Sequence, residues 1–296
     1  MKDLKLAQII TAMVTPFNEQ DEVDTQRLNV LLEYLLKNGS QGILINGTTG
    51  EGPNLTTAER NEMIQKTIKI IDDRVPVIAG IGSNSTRATV TDVQTITADS
   101  GLTALLVVVP YYNKPDQNGM MAHFIKVADA SNLPIIIYNI PGRTGVKMEV
   151  PTILKLAQHP NIIGVKNCTG TADLATLIDK APAEFLVYSG EDEDALAVKV
   201  LGGAGIISVA SHIFGMQMKQ MYQDIDHGKV DPAGKTMRAI LPGIKALFSL
   251  PSPAPMKAAL NRRNVFVGEP RLPILPLSKG QQNDLEENLD INNIDK

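Results

Sequence analysis

Residues 162–170 read IIGVKNCTG, a short apolar run rich in β-branched side chains that ends in Lys166 and passes into a turn-like Thr-Gly. A run apolar at successive positions, rather than alternate ones, is how a strand covered on both faces reads, and such strands belong to parallel sheets. Similar runs recur along the chain: AQIITAMV (7–14), GILING (42–47), VPVIAGI (75–81), ALLVVV (104–109), PIIIYNI (134–140), NIIGVK (161–166), EFLVYS (184–189) and GIISVA (205–210). Between them lie segments of helical spacing. One starts at Asp24 and is closed by Gly39; another opens with Thr56 and Glu59 in the form of a capping box. Strand then helix, repeated over about 225 residues, predicts an α/β protein built as a (β/α)8 TIM barrel. A doubly wound open sheet is the alternative. It usually carries Gly-x-Gly-x-x-Gly after its first strand, where this chain has Thr15-Pro16-Phe17.

The strand pattern stops near residue 230. Leu241-Pro242-Gly243 and the Pro-rich 250–255 punctuate helical segments, and the end, QQNDLEENLDINNIDK, is polar and helix-like. The expected organisation is a catalytic barrel over 1–229 and a C-terminal helical appendage over 230–296, with the last few residues frayed.

The 296 residues are 43% hydrophobic, enough for a large core, and the formal net charge of −4 argues against a nucleic-acid partner. His123, His159, His212 and His227 have no paired spacing that would suggest a metal site. A single cysteine, Cys168, excludes an internal disulfide and fits a reducing compartment. The apolar part of the N-terminus is too short for a membrane span, Pro16 interrupts it, and no signal-peptide layout is visible. A cytoplasmic protein with no membrane partner is expected.

In a (β/α)8 barrel the functional side chains sit at the C-terminal strand ends and in the loops that follow. Lys166 ends the sixth run. An amine nucleophile must be neutral, and at the ordinary lysine pKa near 10.4 only about one in 2,500 is neutral at pH 7. A dry pocket or a second cation corrects that, and Arg143 would be such a cation if its loop folds over the mouth. The plain alternative is a lysine snorkelling to solvent. Tyr138 precedes Lys166 by one strand–helix unit, so the two are expected on adjacent strands at one level. It is suited to acid–base work on a carbinolamine, or else is an ordinary core tyrosine. GTTGEG (47–52) surrounds two hydroxyls with glycines, a nest suited to a carboxylate or phosphate; no Gly-Lys-Ser/Thr follows, so it is not a P-loop. Arg143 could clamp a carboxylate bidentately or lie on a surface turn. Glu191 to Asp194 read as a helix start stabilised by the macrodipole, Gly202–Gly205 as a helix-to-strand turn on the opposite rim, and Cys168 as packing.

GTTGE (47–51), PYYNKP (110–115), YNIPGRTG (138–145), the lysine before Thr169-Gly170, and GIIS (205–208) together resemble the dihydrodipicolinate synthase family. It lies in the pyruvate-dependent class I aldolase superfamily, with N-acetylneuraminate lyase. The resemblance covers essentially the whole chain. It implies a homotetrameric barrel that condenses pyruvate with aspartate 4-semialdehyde to 4-hydroxy-tetrahydrodipicolinate in lysine and diaminopimelate biosynthesis, without metal or organic cofactor. On the matching positions, Lys166 is the Schiff-base lysine and Tyr138 the proton-transfer tyrosine. Thr49 and Tyr112 are its relay partners, Tyr112 being donated across the tight dimer interface. The Thr48 and Thr49 amides seat the pyruvate carboxylate, Arg143 takes the carboxylate of the semialdehyde, and the Ile207 carbonyl lines the site.

Two departures stand out. Asn167-Cys168 follow the lysine where the family usually has Glu-Ala; Asn167 is expected to point away from the barrel interior and to tune rather than abolish the chemistry. Thr57 and Ala88 stand where lysine-sensitive members often carry histidine and glutamate, although Asn84 and Tyr111 remain. Weak or no inhibition by lysine is therefore expected. A sister aldolase acting on a sugar acid and a catalytically silent pyruvate-binding paralogue are the alternative functions.

Overall fold

In the computed structural model, which describes residues 3–96 and 98–289, every apolar run becomes a short strand. The first half of the barrel runs β1 (Ile9–Ala12), α1 (Thr25–Lys37), β2 (Gly42–Ile45), α2 (Thr57–Ile71), β3 (Val77–Ile81), α3 (Thr86–Thr95), β4 (Ala104–Val108) and α4 (Gln117–Ala130). The second half runs β5 (Ile135–Asn139), α5 (Pro141–Thr144), α6 (Val150–Leu156), β6 (Ile162–Asn167), α7 (Thr171–Lys180), β7 (Leu186–Ser189), α8 (Ala195–Val200), β8 (Gly205–Ser208) and α9 (Ser211–Asp226). Three further helices follow: α10 (Val230–Leu247), α11 (Ala254–Arg262) and α12 (Lys279–Leu289). The strands pair in parallel in chain order and β8 closes on β1, so the sheet is a barrel and not the open alternative.

Local signals explain the elements. Asp24 caps α1 by accepting from the Gln26 and Arg27 amides, and Leu28, Leu31, Leu32 and Leu35 give it one buried stripe. The Thr56–Glu59 capping box opens α2 as expected. The strands are mostly shorter than the apolar runs. Pro76 and Pro134 have no N–H for the ladder, so β3 and β5 begin one residue later, while those prolines still accept from Ile43 and Leu105 at 3.0 and 2.8 Å. At the other end, residues such as Gly47 and Ile140 lie beyond the strands in the mouth loops. β6 instead runs one residue further, through Asn167.

Two readings are refined and one needs correction. Arg143 lies in a single helical turn, α5, closed by Gly145 at φ 73°. Glu191–Asp194 does open a helix, a 3-10 turn over Asp192–Asp194 that runs into α8, but Asp192 is buried and accepts from the Val209 and Ala210 amides at 3.1 and 3.0 Å and from Ser208 Oγ. Pro242 and Gly243 do not divide the tail, because α10 runs through both. Gly243 lets Phe214 of α9 pack where a Cβ would strike its ring, so the tertiary contact outweighs the propensity. The glycine-rich 202–205 does form the turn before β8, with Gly203 N–H donating to Val198. The frayed end falls on 290–296, outside the described residues. No helix among the described residues is long and apolar enough to cross a membrane.

Candidate active site

Strand register puts the two principal side chains together. Tyr138 on β5 is directly opposite Lys166 on β6, and Lys166 is opposite Tyr188 on β7. Lys166 is only 5% exposed, and its Nζ lies 4.5 Å from the centroid of the Tyr138 ring. It makes no salt bridge among the described residues. The two open into a cleft of about 390 Å³ at the C-terminal mouth, which Thr48, Thr49 and Arg143 also line. Burial raises the Tyr138 phenol above its ordinary pKa; the Lys166 ammonium opposes this most, followed, after a smaller push upward from Cys168, by Thr48 and Arg143. At neutral pH the phenol holds its proton and can deliver it.

The lysine stands on a rigid outer support. Asn139 Nδ2 donates to Asn167 Oδ1 at 2.9 Å, and Asn167 Nδ2 donates to Thr169 Oγ1 at 2.6 Å. Thr169 donates to Asp173, which pairs with Lys147 at 2.9 Å. Asn167 thus points away from the barrel interior, as the alternation of a strand requires. Cys168 points back into the cleft beside Lys166. Burial pushes its thiol up to about 12, so it is neutral and a poor nucleophile.

The glycine-rich loop after β2 presents free backbone amides at the cleft. Neither the Thr48 nor the Thr49 amide donates to another group of the protein among the described residues. Gly52 N–H donates to Gly47 and Glu51 N–H to Thr48 (3.0 and 3.1 Å), and Thr15 Oγ1 donates to Gly50 at 2.5 Å, which holds the loop in shape. Arg143 makes no salt bridge among the described residues, so its guanidinium is available at the cleft wall.

One expected residue is not brought to this cleft within one chain. Tyr112, at φ 71° in the loop after β4, is 86% exposed. Ile207, expected to line the site through its carbonyl, buries its side chain in the core on β8, and Val209 just beyond it lines the cleft. No hydrogen bond joins Tyr138 to Thr49 among the described residues. Gly190, Glu191, Phe248 and Ser252 also line the cleft, and sequence reasoning had missed them as site residues. Gly190 was signalled by a glycine directly after a strand; Phe248 and Ser252, from the tail, carried no signal.

Fold and site together define a (β/α)8 enzyme of the Schiff-base lyase class, with a buried lysine opposite a buried tyrosine beside a loop of undonated amides. The profile of the dihydrodipicolinate synthetase family matches residues 5–292. The chain is 55% identical over 285 residues to a 4-hydroxy-tetrahydrodipicolinate synthase of Ligilactobacillus salivarius, covering 96% of this chain and 98% of that protein. A synthase of the same name from Enterococcus faecalis is 49% identical over 289 residues, covering 98% and 100%. The crystal structure of a dihydrodipicolinate synthase from Bacillus anthracis superposes with a TM-score of 0.94 at 38% identity, covering 98% of each chain. The chain belongs to the dihydrodipicolinate synthetase family.

Proposed function

We infer that this chain is a 4-hydroxy-tetrahydrodipicolinate synthase, condensing pyruvate with L-aspartate 4-semialdehyde in lysine and diaminopimelate biosynthesis. The observation that carries the reading is the opposition of Tyr138 and Lys166 on paired strands beside a loop of undonated amides. The pyruvate carboxylate rests on the Thr48 and Thr49 amides. Neutral Lys166 attacks the keto carbon, and Tyr138 protonates the carbinolamine oxygen, which leaves as water. The resulting iminium withdraws electrons, a methyl proton departs, and the enamine carbon attacks the aldehyde, whose oxygen takes up a proton. Arg143 holds the second carboxylate bidentately. The amine of the semialdehyde then attacks the iminium carbon, expels Lys166 and closes the ring, which restores the free lysine. No metal or organic cofactor enters these steps.

Thr49 and Tyr112 complete the proton relay in this reading, with Tyr112 supplied by a second copy of the chain in a homotetramer; its exposure supports that role. The Ile207 carbonyl faces the substrate. The barrel, 1–229, carries the chemistry and 230–296 forms the appendage, in a cytoplasmic enzyme.

The test is pyruvate consumption by purified protein with aspartate 4-semialdehyde, and in parallel with N-acetylmannosamine. Turnover with the semialdehyde alone is expected, together with a borohydride-trapped pyruvate adduct on Lys166. Turnover with the sugar alone would move the assignment to a sister aldolase, and a chain that forms no adduct would be a silent binder.

A further inference from the structure

Glu51 closes the loop that holds Thr48 and Thr49, and it does so in an unusual way. Its backbone is left-handed, at φ 55°, a conformation in which glycine is the unstrained choice. Its carboxylate is buried, with the residue 3% exposed. One carboxylate oxygen, Oε1, lies 2.8 Å from Nζ of Lys257, a residue of α11 that is 0% exposed. The other, Oε2, accepts the Arg271 backbone N–H at 2.8 Å.

The partners are themselves anchored. Lys257 Nζ also donates to the Glu269 carbonyl at 3.0 Å and lies 4.0 Å from the centroid of the Phe17 ring. The Arg271 guanidinium lies 4.2 Å from the same ring, donates to the Asn54 carbonyl at 3.1 Å and pairs with Glu59 of α2 at 2.5 Å. The loop is thus gripped from the appendage at Glu51 and Asn54, neither of which lines the cleft. A buried pair of opposite charges is weak evidence for stability, because desolvation offsets the attraction. It is a strong geometric constraint, because neither charge can leave its partner without being stranded. A strained glutamate in that position therefore points to a positional purpose.

We propose that the Glu51–Lys257 ion pair is a positioning device, through which the C-terminal appendage sets the Thr48 and Thr49 amides at the substrate carboxylate seat. Neither residue lines the cleft, so both act through the loop. The proposal rests on the pyruvate reading above. The wild-type protein separates the two: if it forms no pyruvate adduct, that reading fails before any variant is compared.

The experiment compares Lys257→Met, Glu51→Gln and the double variant with wild type for kcat, both KM values and thermal melting. The double variant removes both charges and avoids stranding either one. It is expected to melt closer to wild type than either single variant, yet to keep a KM for pyruvate raised about tenfold. Its kcat should stay within about threefold, its KM for the semialdehyde within about twofold, and borohydride should still trap pyruvate at saturation. If Lys257→Met does not fold, Lys257→Gln takes its place in the comparison. A folded double variant with a wild-type KM for pyruvate overturns the proposal, as does one whose loss lies in kcat alone.

Discussion

Gly190 has no Cβ because the lysine needs the space. A Cβ there would lie 2.5 Å from Cε and 3.0 Å from Cγ of Lys166 and would also strike the Cys168 sulfur. Displacing a reacting atom by about 1 Å can cost on the order of 100-fold. Gly190→Ala is therefore expected to lower kcat/KM about 100-fold while circular dichroism keeps the native helix content. A variant with native rates would mean that the lysine reaches its substrate by another path. His212 is a second case in which burial decides the chemistry. Its Nδ1 bonds the Val209 carbonyl at 2.7 Å and its Nε2 accepts from Val14 N–H at 3.2 Å, so the neutral ring is fully satisfied. Burial pushes its pKa down to about 4, with the bond to the Val209 carbonyl opposing, and burial alone does the same for His123. The unfolded chain takes up these protons first, near pH 6.5, so this part of the stability is complete above 6.5 and declines as pH falls toward 4. The slope is about 1.4 kcal/mol per pH unit for each proton. Urea unfolding between pH 7 and 4 should show the decline, and NMR of the His212 ring should show it neutral at pH 5.5. A ring already protonated at pH 6 would contradict this.

At the scale of elements, periodicity explains nearly everything up to α9. Leu28, Leu31, Leu32 and Leu35 follow helical spacing and are all fully buried, each worth about 1.5–3 kcal/mol of transfer free energy. Parallel strands pair in chain order because each connection crosses a helix back to the next position. That is why the shared level of Tyr138 and Lys166 was legible from two apolar runs. The exceptions were α10 and the Glu191–Asp194 turn. Proline and glycine at 242 and 243 read as breakers, yet α10 continues because its packing on Phe214 requires the bare backbone of Gly243. Gly243→Ala should destabilise the fold by about 1–3 kcal/mol through overpacking, measured by urea unfolding. An unchanged midpoint would show that the Phe214 ring can yield. Asp192 read as one of four acids at a helix start, and nothing local distinguishes it from its neighbours. Only the return of the chain through β8 brings the Val209 and Ala210 amides to its carboxylate.

At the scale of the whole molecule, Tyr112 is the residue one chain leaves unexplained. A large aromatic 86% exposed at a left-handed φ is costly to present without a partner. If a second copy uses it, mixing Tyr112→Phe with Lys166→Ala protein, each expected to be about 100-fold or more impaired, should restore activity. Random pairing caps the recovery at about a quarter of the native sites. Mixtures no more active than their components would place Tyr112 outside the neighbouring site.

The sequence by itself determined the eight strands, their order, and the Lys166, Tyr138 and GTTGEG set at one rim, because hydrophobic period and strand pairing depend on near neighbours in the chain. Tertiary structure alone decided which distant groups complete the mouth. Lys257 meets Glu51, Arg271 bonds to the same carboxylate, and Phe248 and Ser252 close one wall of the cleft. None of these pairs carries a repeat or a spacing that could announce it. A buried charge selects its partner only once the fold has removed the water that would otherwise have solvated it.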